Sequence, residues 1–150
     1  MLRDDINNAL KTAMKAQDQR RVSTLRLINA AFKNADIEAR VAGKTLTDDD
    51  LNGQMQKMIK QRQESAELYD KGGRPELASQ EREEIAVITS FLPKQMSEDE
   101  IKAAVAAAVK DTGASSMKDM GRVMAALKER HAGKMDFAKA GGLVKAQLGT

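Results

Sequence analysis

Phe91-Leu92-Pro93-Lys94-Gln95-Met96-Ser97-Glu98-Asp99-Glu100 divides this 150-residue chain. Proline has no backbone N–H and forces the preceding residue away from helical geometry, so a helix stops at this corner. Four residues on, Ser97 and Glu100 stand at capping-box spacing, with acidic side chains at the positive end of the helix that follows. The corner therefore separates one helix from the next. It also separates two stretches of different charge: 16 basic and 15 acidic residues up to Lys94, then nine basic and seven acidic beyond it.

Upstream of the corner, apolar residues recur at helical spacing. Leu2, Ile6, Leu10 and Met14 form one stripe, and Val22, Leu25, Ile28, Phe32 and Ala35 a second. Leu51, Met55, Met58, Ile59 and Ala66 form a third, and Leu77, Ile85, Ile88 and Leu92 a fourth. Thr47 ahead of Asp48, Asp49 and Asp50 caps the third helix. Gly72-Gly73 stops it, Pro75 opens the fourth, and Pro93 ends it. Downstream, an alanine-rich fifth helix spans Ile101 to Asp111, and Gly113 breaks it. Ser116 caps a sixth helix reaching about Arg130, and Gly133 with Asp136 separates that from a seventh. No segment alternates with period two. The fold class is all-α: an N-terminal helical bundle over 1–94, followed by a small three-helix domain over 95–150.

Composition removes several chemistries. The chain has no cysteine and a single histidine, which excludes disulfides, thiolate metal sites, cysteine nucleophiles and a His-rich metal cage. No Gly-rich loop ends in Gly-Lys-Ser/Thr; Gly72-Gly73-Arg74-Pro75 is a helix connection. Glu81, Glu83 and Glu84 have no Glu-x-x-His companion for a di-metal bundle, so neither metal nor cofactor is expected. No apolar run approaches membrane-spanning length and no signal-peptide core follows Met1, so the expected localisation is cytoplasmic, with no membrane contact. Three Phe, one Tyr and no Trp offer little for base stacking, and Phe32 and Phe91 fall on apolar faces.

From Ser116 onward seven Lys/Arg oppose three acids, an excess of +4 against +3 for the whole chain. Around the bend between the sixth and seventh helices, Arg122, Lys128, Arg130 and Lys134 are the candidate nucleic-acid-binding residues. They suit a phosphate backbone, whose neutralisation releases counterions. An ordinary solvated helix face is the competing reading. Gly121 lies on the apolar stripe of the sixth helix, where close helix packing is expected before ligand approach. Gly133 terminates that helix. His131 reads as a surface loop residue, and Met117, Met120, Met124 and Met135 read as core before partner groove. Arg26, Arg62 and Glu84 lie on or beside apolar stripes and read as an ion network that fixes helix register before a polar site.

Thr24-Leu25-Arg26, Gln61 to Ser65, Glu84-Ile85, Phe91-Leu92-Pro93, Gly121 to Met124, Gly133 to Asp136 and Val144 to Leu148 occur in the order and spacing of the GatB/YqeY family, which the whole chain closely resembles in its standalone YqeY form. The family's tail also ends the B subunit of the tRNA-dependent amidotransferase, where it resembles a helical tRNA-contacting appendage. The resemblance thus implies tRNA as partner, with an amidotransferase or synthetase protein as a further one, and no catalytic residues in this chain. Two alternatives remain open: a component of carbon–nitrogen ligation with glutamine as amide donor, and a protein-interaction adaptor. One departure is Ala140-Gly141-Gly142, which places two glycines in the last helix and implies a kink or a late helix start.

Overall fold

A computed structural model describes residues 1–149. Among them are seven α-helices, one 3₁₀ turn and no strand, so the all-α expectation holds. The helices are α1 (Leu2–Lys15), α2 (Gln19–Val41), α3 (Asp48–Lys71), α4 (Pro75–Thr89), α5 (Glu98–Thr112), α6 (Met120–His131) and α7 (Phe137–Leu148). They divide into two units, Met1–Leu92 and Pro93–Thr150, each with its own core.

In the first unit the core gathers Leu2 and Ile6 of α1, Leu25, Ile28 and Phe32 of α2, Leu51 and Met55 of α3, and Ile88 of α4. Burying each such side chain contributes about 1.5–3 kcal/mol. The first stripe is corrected at its end: Met14 is 51% exposed, and Ala13 is buried instead. Successive steps of four residues overshoot a turn by about 40° each, so a stripe of Leu2, Ile6, Leu10 and Met14 rotates out of the core by its last member. Asp18 caps α2 by accepting from the Arg21 N–H at 3.2 Å. Thr47 and Asp50 make a reciprocal capping box on α3.

Helix α4 ends at Thr89, short of Pro93. The Thr89 and Ser90 hydroxyls donate to the Ile85 and Val87 carbonyls at 2.7 and 2.6 Å, closing the last turn. Phe91 and Leu92 follow in a turn, yet pack half-buried against the first core. The Arg21 guanidinium lies 5.9 Å from the Phe91 ring centre, within cation–π range.

The second unit packs Ile101, Val105 and Ala108 of α5 against Val123 and Leu127 of α6 and Ala140, Val144 and Leu148 of α7. Ser97 and Glu100 form the expected capping box, and Gly113 closes α5 in the left-handed region, φ 65°. Ser116 caps a 3₁₀ turn at Met117–Asp119, and α6 begins only at Met120. Helix α7 starts at Phe137 and runs unbroken through Gly141 and Gly142, so the late start does not occur. Asp136 anchors its first turn by accepting from the Ala138 and Lys139 N–H groups at 3.0 and 3.2 Å.

Candidate nucleic-acid interface

The bend between α6 and α7 is built on backbone. Ala132 leaves helical geometry (ψ 131°), and buried Gly133 adopts φ 75°. The Lys134 N–H donates to the His131 carbonyl at 3.1 Å. Residues entering the unit hold the bend from the other side. The Met96 N–H donates to the Lys134 carbonyl at 2.8 Å, and Gln95 Nε2 donates to the Gly133 carbonyl at 2.7 Å. Gly133 is thus the helix terminator that its position implied. His131 is half-buried at the end of α6 rather than on a surface loop. Met135 is fully buried, Met120 and Met124 half-buried, and Met117 42% exposed, so only Met117 stands outside the core.

The four candidate cations are all exposed but do not share one side. Lys128 and Arg130 are two residues apart on α6, which turns their side chains through about 200°, while Arg122 and Arg130 lie about 80° apart on one flank. Both arginines are already engaged. Arg122 Nη2 donates to Asp119 Oδ1 at 2.9 Å, and Arg130 Nη1 to Asp111 Oδ2 at 3.0 Å. The Ser115 and Ser116 N–H groups, with Arg122 beyond them, hold the Asp119 carboxyl below its ordinary pKa. Asp119 is therefore a fixed anion at the start of α6, and Arg122 lies against it.

The lysines differ from the arginines. Among the described residues, Lys94, Lys102, Lys110, Lys118, Lys128, Lys134 and Lys145 are exposed and in no ion pair; Lys139 alone of the unit's lysines reaches an acid, Glu98, at 3.4 Å. Five of the unit's seven acids are committed elsewhere: Asp111, Asp119 and Glu98 in ion pairs, Glu100 and Asp136 on helix N-termini. The available positive charge therefore lies on lysines, most of them outside the four-residue set. The Asp119–Arg122 spacing of three was a readable signal that Arg122 would be occupied. Nothing in local sequence joins Arg130 to Asp111.

Gly121 is exposed, and a Cβ there would meet nothing within 4 Å. Close helix packing at this glycine is therefore corrected: Val123 and Leu127, not Gly121, carry the buried face of α6.

In the first unit, Arg62 and Glu84 come together. Arg62 Nε donates to Glu84 Oε2 at 3.0 Å, with the side chains 15% and 10% exposed, and Arg62 Nη1 reaches the Met58 carbonyl at 3.2 Å. Glu84 pushes the neighbouring Glu81 carboxyl the same way as partial burial does, upward, with burial the larger cause. Arg26 does not join this network. It is exposed on α2, because it lies about 100° round from Leu25.

A family model described as Yqey-like protein matches residues 3–148. The chain belongs to this family. Among similar proteins is "Altered inheritance of mitochondria protein 41, mitochondrial" of Lachancea thermotolerans, 35% identical over 88 residues, covering 59% of this Yqey-like chain and 46% of that protein. Proteins of the same name from Eremothecium gossypii and Vanderwaltozyma polyspora are 34% and 36% identical over 83 and 84 residues, each covering 55% of this chain and 44% of theirs. The Yqey-like chain thus spans less than half the length of the curated relatives it matches.

These relatives overturn the cytoplasmic expectation, since all three are named as mitochondrial. That expectation rested on hydropathy. No helix among the described residues is long and apolar enough to cross a membrane, but such a property does not report a compartment.

Proposed function

We propose that this Yqey-like protein binds tRNA along the phosphate backbone, with the Pro93–Thr150 unit as the contact surface, in support of amidotransferase-type aminoacyl-tRNA metabolism. One observation carries the reading: among the described residues, seven exposed lysines of this unit are in no ion pair, while its arginines and most of its acids are engaged with each other or with helix ends. Lysine binds phosphate as a mobile point charge, which suits shape and charge recognition more than base reading. The unit's one aromatic, Phe137, is half-buried against the core, so base stacking has no platform here. The link to amidotransferase metabolism is supported by the sequence resemblance.

The test is a titration of the full chain with tRNA at several salt concentrations. Affinity should fall linearly in log–log form, with a slope of about −0.7 to −0.9 per phosphate neutralised. Replacing Lys118, Lys128, Lys134 and Lys145 together by glutamine should flatten that slope and weaken binding. Absence of binding at low salt, or a quadruple variant that binds as tightly as the parent, would refute the reading.

A further inference from the structure

Helix α2 buries one apolar face, and its opposite face leaves three large apolar side chains exposed. Leu25, Ile28 and Phe32 are buried in the first core. On the opposite side Ser23, Leu27, Ala30, Asn34, Ile37 and Val41 follow one another at steps of four, three, four, three and four, all exposed. Leu27 is 42% exposed, Ile37 54% and Val41 86%. That alternation is the 3.5-residue repeat of a coiled-coil seam, sustained from Ser23 to Val41, the last residue of α2. It keeps a straight stripe facing one neighbour, whereas scattered surface apolar residues would not repeat so regularly.

Two further features identify the neighbour. Arg26, Lys33 and Arg40 each immediately precede a seam residue, so one whole flank of the stripe is basic; among the described residues none of the three is in an ion pair. The other flank carries Glu38 and, near the start of the helix, Arg20, which is paired with Glu83. Asn34 sits mid-seam, where a polar residue fixes register against a partner helix. At the N-terminal end the stripe opens into a groove of about 630 Å³, where Met14 of α1 joins Val22 and Leu27 beside Arg26. In an antiparallel pairing a second copy would set basic flank against basic flank, and in a parallel one it would offer Arg26, Lys33 and Arg40 a facing flank whose one acid is Glu38.

We infer that the outer face of α2, from the Met14–Leu27 groove to Val41, docks an amphipathic helix of a partner protein whose flanking positions are acidic. Helix-in-groove recognition takes its affinity from seam residues and its choice of partner from the flanks.

The probe is a pair of synthetic three-heptad helical peptides with Leu and Ile on the seam and Asn at one matching position, one carrying Glu on both flanks and the other Lys. Fluorescence anisotropy with the full chain should show the Glu peptide binding and the Lys peptide weaker by at least about tenfold. Leu27→Glu with Ile37→Glu should abolish Glu-peptide binding while far-ultraviolet circular dichroism and thermal midpoint stay unchanged. Arg26→Glu with Lys33→Glu and Arg40→Glu should reverse the preference between the peptides. Equal affinity for both peptides, or no binding of either, would overturn the proposal. So would sedimentation showing a dimer of this chain that Ile37→Glu dissolves, which assigns the face to a second copy. Loss of tRNA binding in the Leu27/Ile37 variant with peptide binding retained would assign it to RNA instead.

Discussion

Arg62 Nε donates to Glu84 Oε2 at 3.0 Å across α3 and α4, and both side chains are largely shielded from water. Removing one partner leaves the other ion in a poorly hydrated site, whereas replacing both by apolar groups removes the problem. Arg62→Ala should lower unfolding free energy by about 2–3 kcal/mol, and Glu84→Ala by a similar amount. The double variant Arg62→Met/Glu84→Leu should recover most of that loss. Urea unfolding of the four proteins gives the answer directly. Additive losses in the double variant would mean that the two residues act separately.

Arginine and lysine variants of the second unit should separate in a tRNA titration. Arg122 and Arg130 each donate to a carboxylate, so phosphate must displace an existing partner there. Lys128 and Lys134 have no such competitor among the described residues. Lys128→Gln and Lys134→Gln should each reduce the salt slope by about 0.7–0.9, and Arg122→Gln by clearly less. Equal slopes for all the variants would contradict this ranking.

Two glycines of the second unit should respond to alanine with opposite sign. Gly142 is in the interior of α7 and exposed, and a Cβ there meets nothing within 4 Å; Gly142→Ala should stabilise by roughly 1 kcal/mol. Gly113 holds φ 65° at the end of α5, where alanine is strained; Gly113→Ala should destabilise by roughly 1 kcal/mol. Thermal unfolding measures both.

Acid should erode the helix caps. Asp50, Glu100 and Asp119 are held below their ordinary pKa, by Thr47, by Ser97, and by the Ser115 and Ser116 N–H groups followed by Arg122. A carboxyl lowered by folding stabilises the native state above its unfolded pKa, and that contribution disappears as pH falls through the lowered value. Glu81, raised by burial and then by Glu84, has the opposite sign and is relieved as it protonates. Unfolding free energy should therefore fall from about pH 5 downward. Asp119→Asn should flatten part of that decline, and Glu81→Gln should raise stability near neutrality. A decline identical in the parent and Asp119→Asn would remove the Asp119 cap from this account.

Local signals in the chain were the readable ones. Stripes such as Leu51–Met55–Met58 and boxes such as Ser97–Glu100 depend on spacings of three and four, which the helix itself enforces. The end of α4 was less legible, because Thr89 and Ser90 close it by hydroxyl bonds to the Ile85 and Val87 carbonyls before proline is reached. Arg130–Asp111 is a meeting of two helices, invisible to any local pattern. The dispersal of Lys128 and Arg130 was present in their spacing all along, since residues two apart on a helix never face the same way. Charge counting sums over a segment and discards that angle. The outer seam of α2 shows the same loss: Leu25 and Ile28 gave the core-facing period, and the second period of Leu27, Ile37 and Val41 was hidden beneath it.

The carbonyls of Gly133 and Lys134 are both satisfied from a segment lying before α5. Any fragment cut at Ser97, the first residue of the α5 cap, would strip two donors from a bend nearly forty residues downstream. A C-terminal fragment that keeps both bonds therefore starts no later than Gln95, and the residues just ahead of α5 belong to the body they introduce rather than to a tether.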